Sequence, residues 1–102
     1  MTREQAVALS HAMNLIHCGW TVSEEKSAIE KTFSFESFIQ AWGWMSVIAM
    51  HAEKNNHHPE WFNVYGVVRV KLTTHSTQRI TEQDVLIAEI MDEEYNKVVG
   101  TK

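Results

Sequence analysis

The chain has 102 residues, a hydrophobic fraction of 44%, a charged fraction of 22% and a formal net charge of −4. These values are typical of one globular domain over residues 1–102 and exclude an intrinsically disordered chain. The acidic charge argues against direct nucleic-acid binding, the single cysteine excludes an intrachain disulfide, and no segment has the apolar length of a signal peptide or membrane span. We therefore expect a cytoplasmic protein that does not enter a membrane.

The N-terminal part predicts a helix followed by two short strands. Thr2 and Gln5 fit a capping box at the start of the helix, and Gly19 is typical of a helix C-terminus. Strands are predicted at residues 20–22 and 27–33, joined by a polar turn. The apolar residues that recur at helical spacing are Ala6, Leu9, Met13 and Ile16.

The central helix is predicted to begin after Ser34 as N-cap and to run to about Asn55, with Phe33 packing on Phe38 at its start. Apolar side chains occupy nearly every face of this helix. A helix without a polar face is buried on more than one side. We therefore expect a second copy of the chain to cover it, in a homo-oligomer.

The remaining chain predicts a hairpin and a last helix. Pro59 precedes an alternating strand at residues 60–65, and Gly66 indicates a tight turn into a fourth strand. The last helix begins at Thr81, and residues 96–102 are expected to fray. This order of elements predicts an α+β fold, a four-stranded antiparallel sheet with three helices packed on one face.

Three histidines carry the functional prediction. His57 and His58 lie in the loop after the central helix, and His75 follows the fourth strand. Because the hairpin brings the open ends of its strands together, we expect these histidines to meet at one edge of the sheet, with Trp61 beside them. Imidazoles transfer protons near neutral pH and tryptophan offers a flat apolar wall. The pattern favours a proton-transfer site for a flat heterocycle.

Other interpretations stay open at this point. The histidines could be ordinary solvated surface residues. A zinc site is also conceivable, although His-His-Pro lacks the usual spacing of zinc ligands. From the residues alone, Asp84 is most simply a helix cap and Glu53 a solvated residue at the end of its helix.

Several segments resemble the pterin-4a-carbinolamine dehydratase family. They are residues 53–65 (EKNNHHPEWFNVY), residues 72–75 (LTTH), and Thr81 with Asp84, within a resemblance that covers about residues 9–92. The resemblance implies a hydro-lyase that converts 4a-hydroxytetrahydropterin to quinonoid dihydropterin in tetrahydrobiopterin recycling. It also implies a dimer or tetramer that uses neither a metal nor a cofactor, since the pterin is the substrate.

By the same resemblance, His57 and His75 are candidates for proton transfer, and His58 is a third catalytic candidate that would orient the pterin. Arg79 stands where the family commonly has glycine, so we expect the loop after His75 to differ in shape. The resemblance further implies four substrate-binding candidates: Trp61, Glu53, Asp84 and Thr74. Trp61 would pack on the pterin ring or wall the pocket, and the two carboxylates would either bind the ring or support the residues that do.

A protein-binding role is the alternative function. Animal members of the family that this sequence resembles also act as a dimerisation cofactor for a homeodomain transcription factor, through a helix surface. The apolar central helix fits either self-association or such a partner.

Overall fold

The computed structural model describes residues 1–100. Its helices are α1 (Arg3–Asn14), α2 (Phe38–Lys54) and α3 (Glu82–Val99), and a 3-10 turn, Leu15–Cys18, follows α1. Its strands are β1 (Thr21–Val22), β2 (Ile29–Ser34), β3 (Glu60–Val64) and β4 (Val67–Leu72). The strands form one antiparallel sheet in the order β1-β2-β4-β3, with the helices packed on one face. The predicted α+β fold is confirmed.

The core lies between the helices and the inner face of the sheet. Val68, Val70 and Leu72 alternate along β4 and are all buried, while the residues between them are exposed. On β2, the neighbours of these three residues include Ile29 and Phe33, which are also buried. Burying one face of a strand requires this alternation, because successive side chains point to opposite sides of the sheet.

Lys31 is the exception on the inner face of β2, and the structure explains it. Its Nζ donates to Asp92 Oδ1 on α3 at 2.7 Å and to the backbone oxygen of Cys18 at 2.5 Å. Asp92 Oδ2 accepts from Trp20 Nε1 at 2.9 Å. The side chains of Lys31 and Asp92 are only 17% and 20% exposed. The lysine therefore joins the sheet, α3 and the turn after α1.

The predicted start of the central helix is wrong. Ser34 is the last residue of β2 and pairs with Val67, so it does not cap a helix. The N-cap is Ser37, whose side chain accepts a hydrogen bond from the backbone amide three residues later at 3.1 Å. Phe38 stacks on Trp42 and not on Phe33, whose ring neighbours lie in the core, so their predicted contact fails as well. Strand pairing with β4 takes precedence over the local capping signal.

The end of α3 also differs from the prediction. The helix continues to Val99 and ends at Gly100, whose φ of +70° is left-handed. Fraying from residue 96 is therefore wrong for residues 96–99, and the remainder of that predicted tail, residues 101 and 102, lies outside the described residues. At the other end of the chain, the capping box of Thr2 and Gln5 is confirmed.

The β3–β4 hairpin forms as predicted, and its glycine is required by a close approach. Tyr65 takes the left-handed conformation in the turn, with φ of +50°. Phe35 donates its backbone amide to the carbonyl oxygen of Gly66 at 2.7 Å. A Cβ at Gly66 would lie 2.5 Å from the backbone oxygen of Phe35. Only glycine fits beside this segment without a shift of the backbone.

Among residues 1–100, side chains cover only one side of α2. Trp44 and Ile48 are fully buried, whereas Ile39 and Trp42 are 80% and 56% exposed. No helix within residues 1–100 combines the length and the apolar character needed to cross a bilayer. The cytoplasmic location stays a prediction.

Replacing Lys31 with alanine should lower the free energy of unfolding by about 1–3 kcal/mol, because it leaves a mostly buried carboxylate and a carbonyl without their donor. Urea denaturation measures the change. The control is Lys97→Ala, which removes a mostly exposed ammonium that pairs with Glu94 one turn away on α3, and it should change stability little. Equal stability loss in the two variants would contradict the anchoring role of Lys31.

Candidate functional site

The structure brings the three predicted histidines to one cleft at the open end of the β3–β4 hairpin. The cleft has a volume of about 320 Å³, within the range of about 300–1,000 Å³ that is common for small-molecule sites. Its lining residues are Asn56, His57, His58, Thr73, Thr74, His75 and Ser76. All of these residues have polar side chains.

His57 is held by the way α2 ends. Asn56 adopts a left-handed backbone with φ of +51°, and the amide of His57 donates to the carbonyl of Ala52 at 2.9 Å. This is the usual closure of a helix C-terminus. It turns the imidazole toward α3, where Nε2 lies 2.6 Å from Asp84 Oδ1. The side chain of His57 is only 11% exposed.

Asp84 is wholly buried, and its carboxylate is fully hydrogen bonded. Oδ2 accepts from Thr74 Oγ1 and from the backbone amide of Thr81, both at 2.9 Å, while Oδ1 faces His57. The bond to Thr81 is the helix-capping contact that the sequence predicts. A buried carboxylate requires such donors, since an unpaired charge away from water is very costly.

His58 and His75 each face a carboxylate near the surface. His58 Nε2 lies 2.9 Å from Glu53 Oε1, and His75 Nε2 lies 2.8 Å from Glu60 Oε2. All four side chains are exposed. In each of the three histidines, Nε2 therefore meets a carboxylate, and within residues 1–100 none of their Nδ1 atoms makes a hydrogen bond. A neutral ring in this setting carries its proton on Nε2 and keeps a lone pair on Nδ1.

The pKa of Glu60 lies below its ordinary value. The hydrogen bond from His75 is the main cause, and the positive charges of Lys71 and His75 act in the same direction. Partial desolvation opposes them. The carboxylate of Glu60 is thus a defined part of the site, although the sequence prediction did not include it. The signal that could have identified Glu60 from the sequence was its predicted position opposite Lys71 in the hairpin, close to His75.

Trp61 does not lie beside the histidines, which corrects the sequence prediction. It pairs with the buried residue Val70, so its side chain points to the helix side of the sheet. Its ring packs against Trp44 on α2, with ring centroids 6.3 Å apart. The strand alternation that aims Glu60 outward aims Trp61 inward. Trp61 supports the core behind the cleft and does not line it.

A second cleft of about 540 Å³ continues from the first. The two clefts share Thr73 and His75, and Lys71 and Arg79 are among the residues that line the second. In the loop after His75, the left-handed residue is Gln78, with φ of +53°, and not Arg79. Arg79 instead forms a β-bridge with Thr74. The arginine therefore avoids the backbone strain that would follow from replacing a left-handed glycine.

The carboxylates and imidazoles of the site are arranged in pairs. Among residues 1–100, no three His, Cys, Asp or Glu side chains come together in a way that could hold a metal ion. The arrangement suits proton exchange. Each imidazole ring binds a carboxylate through one nitrogen, and its other nitrogen is available to give or take a proton.

Comparison with known proteins defines the class of protein. A bacterial protein from Brucella melitensis, described as a transcriptional coactivator/pterin dehydratase, has a crystal structure that matches with a TM-score of 0.70 at 36% identity, over 98% of both chains. A pterin dehydratase-like RuBisCO assembly factor of the alpha-carboxysome matches with a TM-score of 0.64 at 19% identity, over 76% of this chain and 92% of that one. This second likeness concerns the fold alone. The fold is thus that of pterin dehydratase-like proteins.

The sequence comparisons name the family. The family model of pterin 4 alpha carbinolamine dehydratase matches residues 1–94. A protein of Rhizobium rhizogenes, provisionally named pterin-4-alpha-carbinolamine dehydratase, is 49% identical over 72% of this chain and 73% of its own. A protein of Ruegeria pomeroyi with the same provisional name is 50% identical over 72% of this chain and 76% of its own. The chain belongs to the pterin 4 alpha carbinolamine dehydratase family.

Replacing His75 with alanine should raise the pKa of Glu60 toward its ordinary value, because the variant loses the hydrogen bond that stabilises the carboxylate. Side-chain carboxyl NMR during an acid titration measures this. A lowered folded-state pKa also means that the pair stabilises the fold above the unfolded pKa of Glu60, and that this contribution disappears as the pH falls through the folded value. His58→Ala is the matched control and should leave Glu60 unchanged. An unmoved Glu60 titration in His75→Ala would contradict the pairing.

Proposed function

We propose that this chain is a hydro-lyase that converts 4a-hydroxytetrahydropterin to quinonoid dihydropterin, in the recycling of tetrahydrobiopterin. Family membership and the names of the relatives support a dehydratase. The observation that carries the proposed chemistry is the pair of His57 and Asp84, in which a wholly buried carboxylate lies 2.6 Å from one nitrogen of an imidazole at the cleft.

The reaction requires one proton to be given and one to be taken. The bond from C4a to the hydroxyl oxygen breaks, and the oxygen leaves as water after it receives a proton. The N5 lone pair forms the double bond to C4a, and the ring then loses a proton. The electrons and protons balance without an oxidant, reductant or metal ion. A cleft with at least two imidazoles suits this exchange, since imidazole both donates and accepts protons near neutral pH.

The surroundings of the histidines support a division of roles. His57 bonds to Asp84 through Nε2, so its Nδ1 is available to accept the ring proton. His75 lies beside the carboxylate of Glu60, which suits it to carry and deliver the proton to the leaving hydroxyl. His58 would then orient the pterin, and Glu53 would hold the imidazole ring of His58 in place. The second cleft, beyond His75, offers space for the substituent of the pterin.

Purified protein should accelerate quinonoid dihydropterin formation from freshly generated 4a-carbinolamine. The double variant His57→Ala/His75→Ala should lose roughly 10²-fold or more of this acceleration, since general acid–base groups typically contribute about 10²–10⁴-fold. The absorbance of the quinonoid product reports the rate.

The control for that assay is His17→Ala, an exposed histidine outside the cleft, which should retain the full rate. Circular dichroism verifies that the double variant is folded. A folded double variant with an unchanged rate would refute the roles given to His57 and His75.

We also propose that a second copy of this chain covers the exposed side of α2. Phe38 and Trp42 stack on that side with ring centroids 6.0 Å apart, and Ile39 is 80% exposed. A contiguous apolar patch of this kind marks an interaction surface. The description of the Brucella melitensis protein as a coactivator favours a protein partner as the second candidate function. A homo-oligomer that buries this face would leave it unavailable to such a partner.

Light scattering should therefore give the unmodified chain a mass that is a multiple of 11.8 kDa. Ile39→Glu should shift the mass toward one chain, because it places a charge within the apolar contact. Val7→Glu, at an exposed apolar residue of α1, is the control and should keep the mass of the unmodified protein. A monomeric unmodified chain would contradict the homo-oligomer and favour the binding of another protein.

A further inference from the structure

We infer that Thr74 is a positioning residue for two histidines at once, fixing the proton-bearing nitrogen of His57 through Asp84 and the placement of His75 through the backbone. Thr74 would thereby have a role other than the substrate contact that the resemblance implies. The inference rests on the proposed function, because it concerns the same cleft. It is independent of which pterin binds there.

The number of protons available around Asp84 decides which way its hydrogen bonds point. Thr74 Oγ1 lies 2.9 Å from Asp84 Oδ2 and 2.7 Å from Thr81 Oγ1. A hydroxyl has one proton, and a carboxylate can only accept. The proton of Thr74 therefore goes to Asp84, and the hydroxyl of Thr81 donates to Thr74. The hydrogen bonds run in one direction, from Thr81 through Thr74 to Asp84.

The direction of these hydrogen bonds bears on which ring nitrogen of His57 carries the proton. Asp84 is wholly buried and holds three donors, so its carboxylate remains an acceptor and cannot rotate without losing one of them. Its third donor is His57 Nε2–H at 2.6 Å. The proton of the neutral ring is thus held on Nε2, and Nδ1 keeps the lone pair that the reaction needs.

The backbone of Thr74 closes the loop that contains His75. The carbonyl oxygen of Thr74 accepts from the amide of Gln78 at 2.6 Å and from that of Thr77 at 3.2 Å, while its own amide donates to Arg79 O at 3.0 Å. His75 is the next residue, inside the loop that these bonds close. The backbone and the hydroxyl of one residue therefore place both candidate proton-transfer groups.

Removing the hydroxyl should affect Asp84 and His57 and leave His75 in place, because the bonds that close the loop around His75 are made by the backbone of Thr74. In Thr74→Val, Asp84 Oδ2 keeps only the amide of Thr81, and the hydroxyl of Thr81 loses its acceptor. The carboxylate gains freedom to turn, so the proton of His57 is no longer confined to Nε2. Thr74→Ser keeps the hydroxyl and removes only a methyl group. It should preserve the hydrogen bonds.

The test combines a spectroscopic measurement with the rate. Long-range ¹H–¹⁵N correlation NMR should show His57 of the unmodified protein protonated at Nε2, and the same pattern in Thr74→Ser. In Thr74→Val, the two ring nitrogens should move toward averaged shifts, and kcat should fall about tenfold, the effect of one hydrogen bond. Thr32→Val, at an exposed residue of β2 that does not line the cleft, is the matched control and should change neither.

The outcomes separate this inference from the proposed function. The NMR measurement uses the protein without pterin, so it judges Thr74 even if the unmodified chain shows no dehydratase activity, a result that overturns only the proposed function. Unchanged His57 shifts in a folded Thr74→Val protein would overturn the inference. So would a Thr74→Ser protein whose shifts change as much as those of Thr74→Val, because that result assigns the effect to packing of the methyl group.

Discussion

The buried carboxylate of Asp84 is the constraint on which the site depends. A charge without access to water persists only if every acceptor position is supplied with donors, and here they come from three parts of the chain. Thr81 begins α3, Thr74 follows β4, and His57 follows α2. One carboxylate therefore requires the ends of three elements to meet. The same electrostatic requirement that joins these elements also orients the imidazole of His57.

The sheet supplies the second constraint. The β3–β4 hairpin closes at a turn where Gly66 lies against the Phe35 backbone, so the open ends of its strands are held in fixed register. Glu60 and Lys71 face each other across that register, and His75 returns to the carboxylate of Glu60. The exposed histidines thus sit on a rigid frame although their own side chains reach the surface. Loops held in this way are the usual carriers of chemistry.

Much of this arrangement follows from the sequence, and the exceptions have physical causes. Hairpin geometry predicts that His57 and His75 share an edge, and a capping pattern predicts the bond from Asp84 to Thr81. The bond from Asp84 to His57 depends on how α3 packs, which no local pattern contains. Ser34 has the chemistry of a helix cap but is paired in a strand. Trp61 alternates inward, although the prediction placed it beside the histidines.

α3 contacts the cleft at one position along its length and the core at another. Asp84 lies in its first turn, and Asp92, which binds Lys31 and Trp20, lies eight residues later, about 12 Å along the axis at 1.5 Å per residue. Sliding or rotation of the helix would break the contacts of both Asp84 and Asp92. Unwinding that starts near Val99 would meet the Asp92 anchor before it reached the histidines. A disturbance that travels along α3 from its C-terminal end must therefore break the contacts of Asp92 before it reaches the cleft.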